Sequence, residues 1–256
     1  MTYPLVSIIV NCFNGEKYLE NCLRSILNQT YKNYEVIFWD NCSKDNSKSI
    51  FLSIKDDRFK YYSDNEHVNL YRARNKALNL VKGEYICFLD VDDMWLTEKL
   101  SQQVNEMEKD KQIGFIYSGF KILYEEKNKL TSAFKNRFLK SGYIKNNLLR
   151  NYNIGILTLM VRKSIIKKYH IQFDKRFTIM GDLDFVLRIS KITKGLVIKS
   201  DLAIYRNHYK NLSKNLELTI SERDIWQKEM INKLLFNKKE LEYFTRETEY
   251  LKFLDK

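Results

Sequence analysis

The chain has a single proline, Pro4, and only eight glycines in 256 residues. So few breakers favour regular elements over elaborate loops. No apolar stretch approaches the roughly 18–20 residues that a bilayer span requires. The first residues start a strand-like run, without a basic region followed by an apolar signal segment, so a cytoplasmic location is expected. Four cysteines (Cys12, Cys22, Cys42 and Cys87) show no paired metal-type spacing and read as small buried hydrophobes in a reducing compartment. Glycine-rich phosphate loops are missing too. Neither G-x-G-x-x-G nor G-x-x-x-x-G-K-[ST] follows any strand-like run, which weakens the dinucleotide and P-loop readings.

What is present is a globular composition, 44% apolar and 14% aromatic, with a net charge of +12. The charge is unevenly placed. Residues 1–120 hold 15 Lys+Arg against 17 Asp+Glu, whereas residues 121–176 hold 14 against 3. A patch of that sign suits phosphate-bearing or anionic-membrane partners, and it also suits a merely solvated lysine-rich face.

Along the chain, "PLVSIIVNCF" (4–13), "YEVIFWD" (34–40), "RFKYYSD" (58–64) and "YICFLD" (85–90) read as strands, mostly apolar and buried on both faces. Between them Tyr18, Leu19, Cys22, Leu23, Ile26 and Leu27, and later Leu70, Ala73, Ala77, Leu80 and Val81, recur at helical spacing. Alternating strands and helices imply a doubly wound α/β unit with a mostly parallel sheet and helices on both faces. The second half is less regular: strands at 114–124 and 156–163, a helix at 180–192, and a tail of two helices at about 219–235 and 238–254. In that tail Leu241, Phe244, Thr248 and Leu251 form an apolar stripe, expected to pack on the domain or on a second subunit as a homodimer contact.

Ligands of such sheets bind at the carboxyl ends of the strands. There the sequence places Asn11 with Asn14, Asp40 with Asn41, and the cluster Asp90, Asp92 and Asp93. Three carboxylates within four positions repel one another and resist burial. A divalent cation, Mg²⁺ or Mn²⁺, would relieve them and also neutralise a nucleotide diphosphate where no glycine nest exists. Asp93, just before Met94-Trp95, reads as a residue at a helix start.

"VSIIVNCFNGEKYLENCLRSILNQTYKNYEVIFWDNCSKDNS", "ARNKALNLVKGEYICFLDVDDMW", "GDLDFVLRISK" and "YRNHYKNLS" together resemble glycosyltransferase family 2, the inverting nucleotide-sugar transferases of GT-A fold. The resemblance implies a Rossmann-like GT-A catalytic domain over 1–212. Its nucleotide-sugar-binding half would be 1–110 and its acceptor-side half 111–212, with a helical extension at 213–256. It implies donor binding by Asn11, Phe13, Asp40, Arg74 and Asp90, metal binding by Asp92 and His208, and a general base at Asp182. It further implies a UDP-sugar donor and a glycan or lipid-linked glycan acceptor in bacterial cell-surface polysaccharide synthesis. Peripheral contact with an anionic membrane through 121–176 is a further expectation, and no nucleic-acid partner is expected.

The sequence departs from the family pattern at four places: Asn11 for a proline, Asn41 for a second aspartate, Gly181 for the glutamate before the base, and Leu70-Tyr71-Arg72 where a glycine is usual. Each residue also has a plainer reading. Phe13 taken alone reads as core, Arg74 as a surface arginine and His208 as structural. Asp182 and Asp184 cannot share a helix face, so one is expected to enter the site and the other to meet solvent or Arg188. Two rival readings are a nucleotidyltransferase of α/β fold and a basic module that binds nucleic acid or membrane.

Overall fold

The computed structural model describes residues 3–133, 139–233 and 235–255. Its first half follows the alternation read from the sequence. Strands β1 (Val6–Cys12), β2 (Tyr34–Asp40), β3 (Phe59–Ser63) and β4 (Tyr85–Asp90) lie parallel in the order β3-β2-β1-β4. Helices α1 (Glu16–Leu27), α2 (Ser47–Leu52) and α3 (Leu70–Leu78) connect them. Successive side chains of a strand point to opposite faces, and two cores follow. Ile8, Val10, Val36, Phe38, Cys87 and Leu89 pack with Leu19, Cys22 and Leu23 of α1. On the other face Ile9, Ile37 and Phe88 pack with Tyr71 and Ala77 of α3. A strand covered on both sides can be apolar throughout, which is why β1, β2 and β4 were legible; β3, at the sheet edge, buries only Phe59.

After β4 the chain makes β5 (Met94–Trp95), α4 (Lys99–Lys109), β6 (Ile113–Tyr124), β7 (Lys129–Ser132), α5 (Lys145–Arg150), β8 (Met160–Arg162) and α6 (Lys163–Lys168). It continues with α7 (Gly181–Ile192), β9 (Lys194–Asn207), α8 (Leu216–Asn232) and α9 (Glu242–Leu254). β8 enters antiparallel between β4 and β6, β6 pairs parallel with β9, and β9 closes antiparallel on β5. Residues 114–124 form the single strand β6. Of 156–163 only Met160–Arg162 is strand, and Ile156–Thr158 is a 3-10 turn. Helix α4 and strand β9 escaped the sequence reading. The inward face of α4 carries Lys99 and Gln103, and β9 is half-exposed with charges along it.

The tail helices pack within the chain. Leu241, Phe244 and Thr248 of the expected stripe are buried, as are Trp226 and Met230 of α8, and Trp226 meets Phe236 and Phe244. Residue 234 of the expected helix lies outside the described residues, as do 134–138 of the basic segment. Much of that segment is occupied. Arg162 donates to the Tyr85 hydroxyl and to the Ile113 and Met107 carbonyls, Lys145 pairs with Glu240, and Arg176 pairs with Asp174 and Glu229. Lys163 donates from its backbone to the Glu84 carbonyl and from Nζ to those of Val81 and Lys82. Helix α6 therefore sits at the amino end of β4, at the opposite end of that strand from Asp90.

Among the described residues no helix is long and apolar enough to cross a membrane.

Candidate active site

Residues Asn11, Trp39 and Asp90 stand side by side in register at the carboxyl ends of β1, β2 and β4. Asn11 is buried, and among the described residues neither polar atom of its amide has a hydrogen-bond partner. A buried amide left this way is costly unless a ligand or water completes it. Two loops beside it are laced together: the Asn14 N–H donates to Ser43 Oγ, the Gly15 N–H to Ser47 Oγ and the Lys44 N–H to Asn14 Oδ1. On their rim Phe13 is 47% exposed, so it is not core, and its ring lies 4.0 Å from that of His67 at 43°. Asp40, buried below, accepts from the Ser43 N–H at 2.8 Å and the Tyr61 hydroxyl at 2.6 Å. Asn41 donates to the Val68 carbonyl and accepts its N–H. That exchange needs an amide; an aspartate could not donate, which gives a physical reason for the departure at 41.

The acidic cluster is relieved first by a basic side chain. Arg74, 1% exposed although it lies on a helix, donates from Nη1 to Asp182 and from Nη2 to Asp90 at 2.5 Å. Its neighbours in the A-R-N stretch serve the same docking. Ala73 is fully buried, and Asn75 exchanges two hydrogen bonds with the Phe173 backbone. Burial pushes the Asp182 carboxyl up to about 6, Arg74 holding it down and Asp90 adding to the rise. Among the described residues Asp182 Oδ2 takes no hydrogen bond. Asp184 turns the other way and is buried, accepting from Arg188 and from Trp226 Nε1 at 3.0 Å. The two carboxylates are thus separated by helix geometry, as expected, with Asp184 in a structural network.

Asp92 faces His208: Nε2 stands 2.9 Å from Oδ2. Burial, then the Asp90 charge, raises the Asp92 carboxyl, with His208 opposing. Asp93 starts no helix, α4 beginning only at Lys99. It is buried in the turn after β4, where it accepts the Arg206 N–H at 2.9 Å, and burial beside Asp92 raises it strongly. Trp95 pins this turn, its N–H donating to Ser25 Oγ and its Nε1–H to the Leu157 carbonyl, with the buried Lys99 ammonium 4.1 Å from its ring centre. Arg206 reaches the Asp92 carbonyl and lies over Tyr18, which stacks on His208.

Two groups can therefore hold a cation, Asp92 and His208. Among the described residues no cluster of three or more His, Cys, Asp or Glu side chains is placed to do so. This suits a hard divalent ion, which commonly takes one or two carboxylates and completes its shell from substrate phosphates and water.

His67, Arg206 and Tyr152 were not found from the sequence. The Tyr152 hydroxyl is buried without a partner among the described residues, and its phenol is raised by burial and by nearby Asp182. No motif marks His67 or Tyr152, which loops bring in; Arg206 lies inside YRNHYKNLS, but nothing in that stretch singles it out from its neighbours.

The family model described as Glycosyl transferase family 2 matches residues 7–169. Relatives include the Escherichia coli UDP-Glc:alpha-D-GlcNAc-diphosphoundecaprenol beta-1,3-glucosyltransferase WfgD, 32% identical over 66% of this chain and 64% of that one. The Escherichia coli enzyme of the same description, WfaP, is 32% identical over 82% of this chain and 80% of that one. The chain thus spans just under two thirds of the length of WfgD. Among solved structures, S. aureus TarS 1–349 superposes with a TM-score of 0.71 at 18% identity, over 89% of this chain and 65% of that one. TarS has also been solved with UDP-GlcNAc. The mannosyltransferase PcManGT from Pyrobaculum calidifontis, in complex with GDP-Man and Mn2+, gives 0.66 at 16% identity, over 93% of this chain and 66% of that one.

Proposed function

The chain belongs to glycosyl transferase family 2 and has the GT-A fold, and from that premise we propose that it moves a sugar from a nucleotide diphosphate to a glycan hydroxyl with inversion. The observation that carries this reading is the pair of charge contacts at the carboxyl edge of the sheet, the buried Arg74 with Asp90 and Asp182, and His208 with Asp92 two residues from Asp90.

In this reading the nucleobase lies against Phe13, with Asp40 and the unsatisfied amide of Asn11 supplying its polar contacts. Asp92 and His208 would hold Mn²⁺ or Mg²⁺, and a cation there would offset negative charge on the departing diphosphate. Asp90, fixed by Arg74, stands at the ribose and diphosphate end. Asp182 accepts the proton of the acceptor hydroxyl through its free Oδ2. A carboxyl held near 6 by burial is suited to that task, since a base poised near the working pH is deprotonated yet still takes the proton. Attack from the face opposite the departing diphosphate inverts the anomeric carbon in one displacement.

The donor is a UDP-sugar and the acceptor a lipid-linked glycan of bacterial surface polysaccharide. Support comes from the relatives whose descriptions name UDP-Glc and a diphosphoundecaprenol acceptor. The groups read as donor-binding, as metal-holding and as the base all lie within 1–212. The chain works on the cytoplasmic side, with the exposed lysines of α6 touching an anionic membrane. The homodimer contact moves to the outer face of α9 at Tyr243, Tyr250 and Leu254, because the stripe of Leu241, Phe244 and Thr248 is covered by the chain itself.

The deciding experiment incubates the protein with UDP-Glc, UDP-GlcNAc or GDP-Man, with and without Mn²⁺. A GlcNAc-diphospho-lipid serves as acceptor, and the product anomer is read by NMR. Metal-dependent transfer from a UDP-sugar with inversion is expected. Retention of configuration, or full turnover in chelator, would overturn the mechanism.

A further inference from the structure

Residues 171–180, which lead into α7, contain no helix or strand, yet they place the residue read above as the base. Helix α7 has no side-chain cap of its own, Met180 standing at its N-cap position. Backbone N–H groups at such a point need partners. Here they come from far along the chain. The carboxylate of Glu222 in α8, 5% exposed, accepts three successive N–H groups, from Thr178 at 2.6 Å, Ile179 at 2.8 Å and Met180 at 2.9 Å. From the other side comes α3. The Tyr71 hydroxyl donates to the Ile179 carbonyl at 2.9 Å and accepts the Asp182 N–H at 3.2 Å. Its ring fills the space of a side chain at Gly181, where a Cβ would come within 2.4–2.6 Å of three ring carbons. Asn69, also near the start of α3, donates to the Phe177 carbonyl.

Helix α8 is itself locked to this region. Glu222, Trp226 and Glu229 follow at four and three residues, the spacing of one helix face. Trp226 donates to Asp184 inside α7, and Glu229 pairs with Arg176 in the loop before it.

We propose that Glu222 and Tyr71 are positioning residues for Asp182: a carboxylate from the C-terminal extension and a phenol from α3 together fix the backbone at the start of α7. This rests on the reading of Asp182 as the base. It makes residues 213–256 part of the transferase unit rather than an appendage to a domain complete at 212. The donor groups Asn11, Asp40, Asp90 and Asp92 stand on β1, β2, β4 and the turn after it, so a loosened α7 start moves the base first and reaches the donor site only through the Arg74 bridge to Asp90.

The test uses the full chain carrying Glu222→Gln or Tyr71→Phe, with amide hydrogen exchange at 178–182 and steady-state transfer from UDP-Glc as two readouts. The glutamine offers one acceptor oxygen in place of two, and the phenylalanine keeps the ring against Gly181 while losing both hydrogen bonds. Exchange at 178–182 should quicken roughly 5- to 10-fold, the scale of one lost hydrogen bond. The turnover number should fall about 10- to 100-fold, as small misplacements of a reacting group do, with KM for the donor changed far less than turnover. Faster exchange with parental turnover would reduce both residues to a structural role and overturn the proposal, as would unchanged exchange. If Glu222→Gln does not fold, Tyr71→Phe carries the same two readings. An Asp182→Asn enzyme with parental turnover would instead overturn the base assignment, and the positioning role would fall with it.

Discussion

Arg74 donates to Asp182 across 108 positions of sequence, and the same guanidinium reaches Asp90 with its other nitrogen. It is the first positive charge the acidic edge receives, and it belongs to the protein. Arg74→Met should therefore leave two carboxylates facing each other without a counter-charge. A loss of about 3 kcal/mol is expected in urea unfolding, the low end for a broken buried pair because both carboxylates keep some solvent contact. Unchanged stability would show that the bridge does not form in solution.

The pH dependence of transfer follows from Asp182. With its carboxyl near 6, kcat/KM should fall on the acid side of about pH 6 as the base takes up a proton. Arg74 lowers that carboxyl, so in Arg74→Met the acid limb should move upward. An acid limb that stays in place would mean that another group titrates there.

The same group has a stability signature of opposite sense to the usual aspartate. Its folded value lies above the unfolded 3.8, so the folded chain holds a proton that the unfolded chain has lost. Its stabilising contribution is complete below the unfolded value and disappears as the pH rises through about 6. Comparing parent with Asp182→Asn by thermal melting should show the parent gaining on the variant as pH falls from 7 to 4. A constant difference would remove the raised carboxyl.

Asp182 and Asp184 should separate in mutagenesis. Asp182→Asn should cost at least the roughly 10²–10⁴-fold typical of a general base, and retain donor binding by thermal shift. Asp184→Asn weakens a buried network with Arg188 and Trp226. It should cost about 1–3 kcal/mol of stability and leave transfer largely intact. The reverse pattern would exchange the two roles.

How far the sequence carried these assignments depends on distance along the chain. Strands β1, β2 and β4 were legible because each is covered on both faces, whereas edge strand β3 buries only Phe59 and was read from its place in the alternation; the edge at Asn11, Asp40 and Asp90 follows from the strand order. Arg74 was visible as part of A-R-N, but its burial was not, because a helix with arginine at positions 72 and 74 looks solvated until segment 173–182 covers it. Glu222 was invisible for a related reason. The docking face of α8 is Glu-Trp-Glu, so no apolar period marks it, and its partners are backbone N–H groups that carry no sequence signal. The departures at 71 and 181 were each noted separately, and only the structure shows them to be one contact.

The metal reading predicts a shift rather than a rate. Mn²⁺ with UDP should raise the melting temperature of the parent, the stabilisation reaching about 2.7 kcal/mol at one hundred times Kd. Asp92→Asn removes one of the two donors and should abolish the shift due to Mn²⁺, without unfolding the chain. A variant with the parental shift would take the cation away from Asp92.

Membrane contact can be tested at α6 without touching the chemistry. Lys167 and Lys168 are exposed, whereas Lys163 spends its ammonium on the Val81 and Lys82 carbonyls and is a poor candidate. All three lie at the amino end of β4, remote from Asp90, so their loss should not disturb transfer to a soluble acceptor. A basic side chain near an anionic leaflet contributes about 1 kcal/mol. Replacing Lys167 and Lys168 together by glutamine should then weaken binding to phosphatidylserine vesicles by roughly 30-fold, and added salt should weaken the parent likewise. Transfer to a lipid-linked acceptor in vesicles should fall while transfer to a soluble analogue holds. Vesicle binding that ignores both salt and the two substitutions would place any membrane contact elsewhere on the chain.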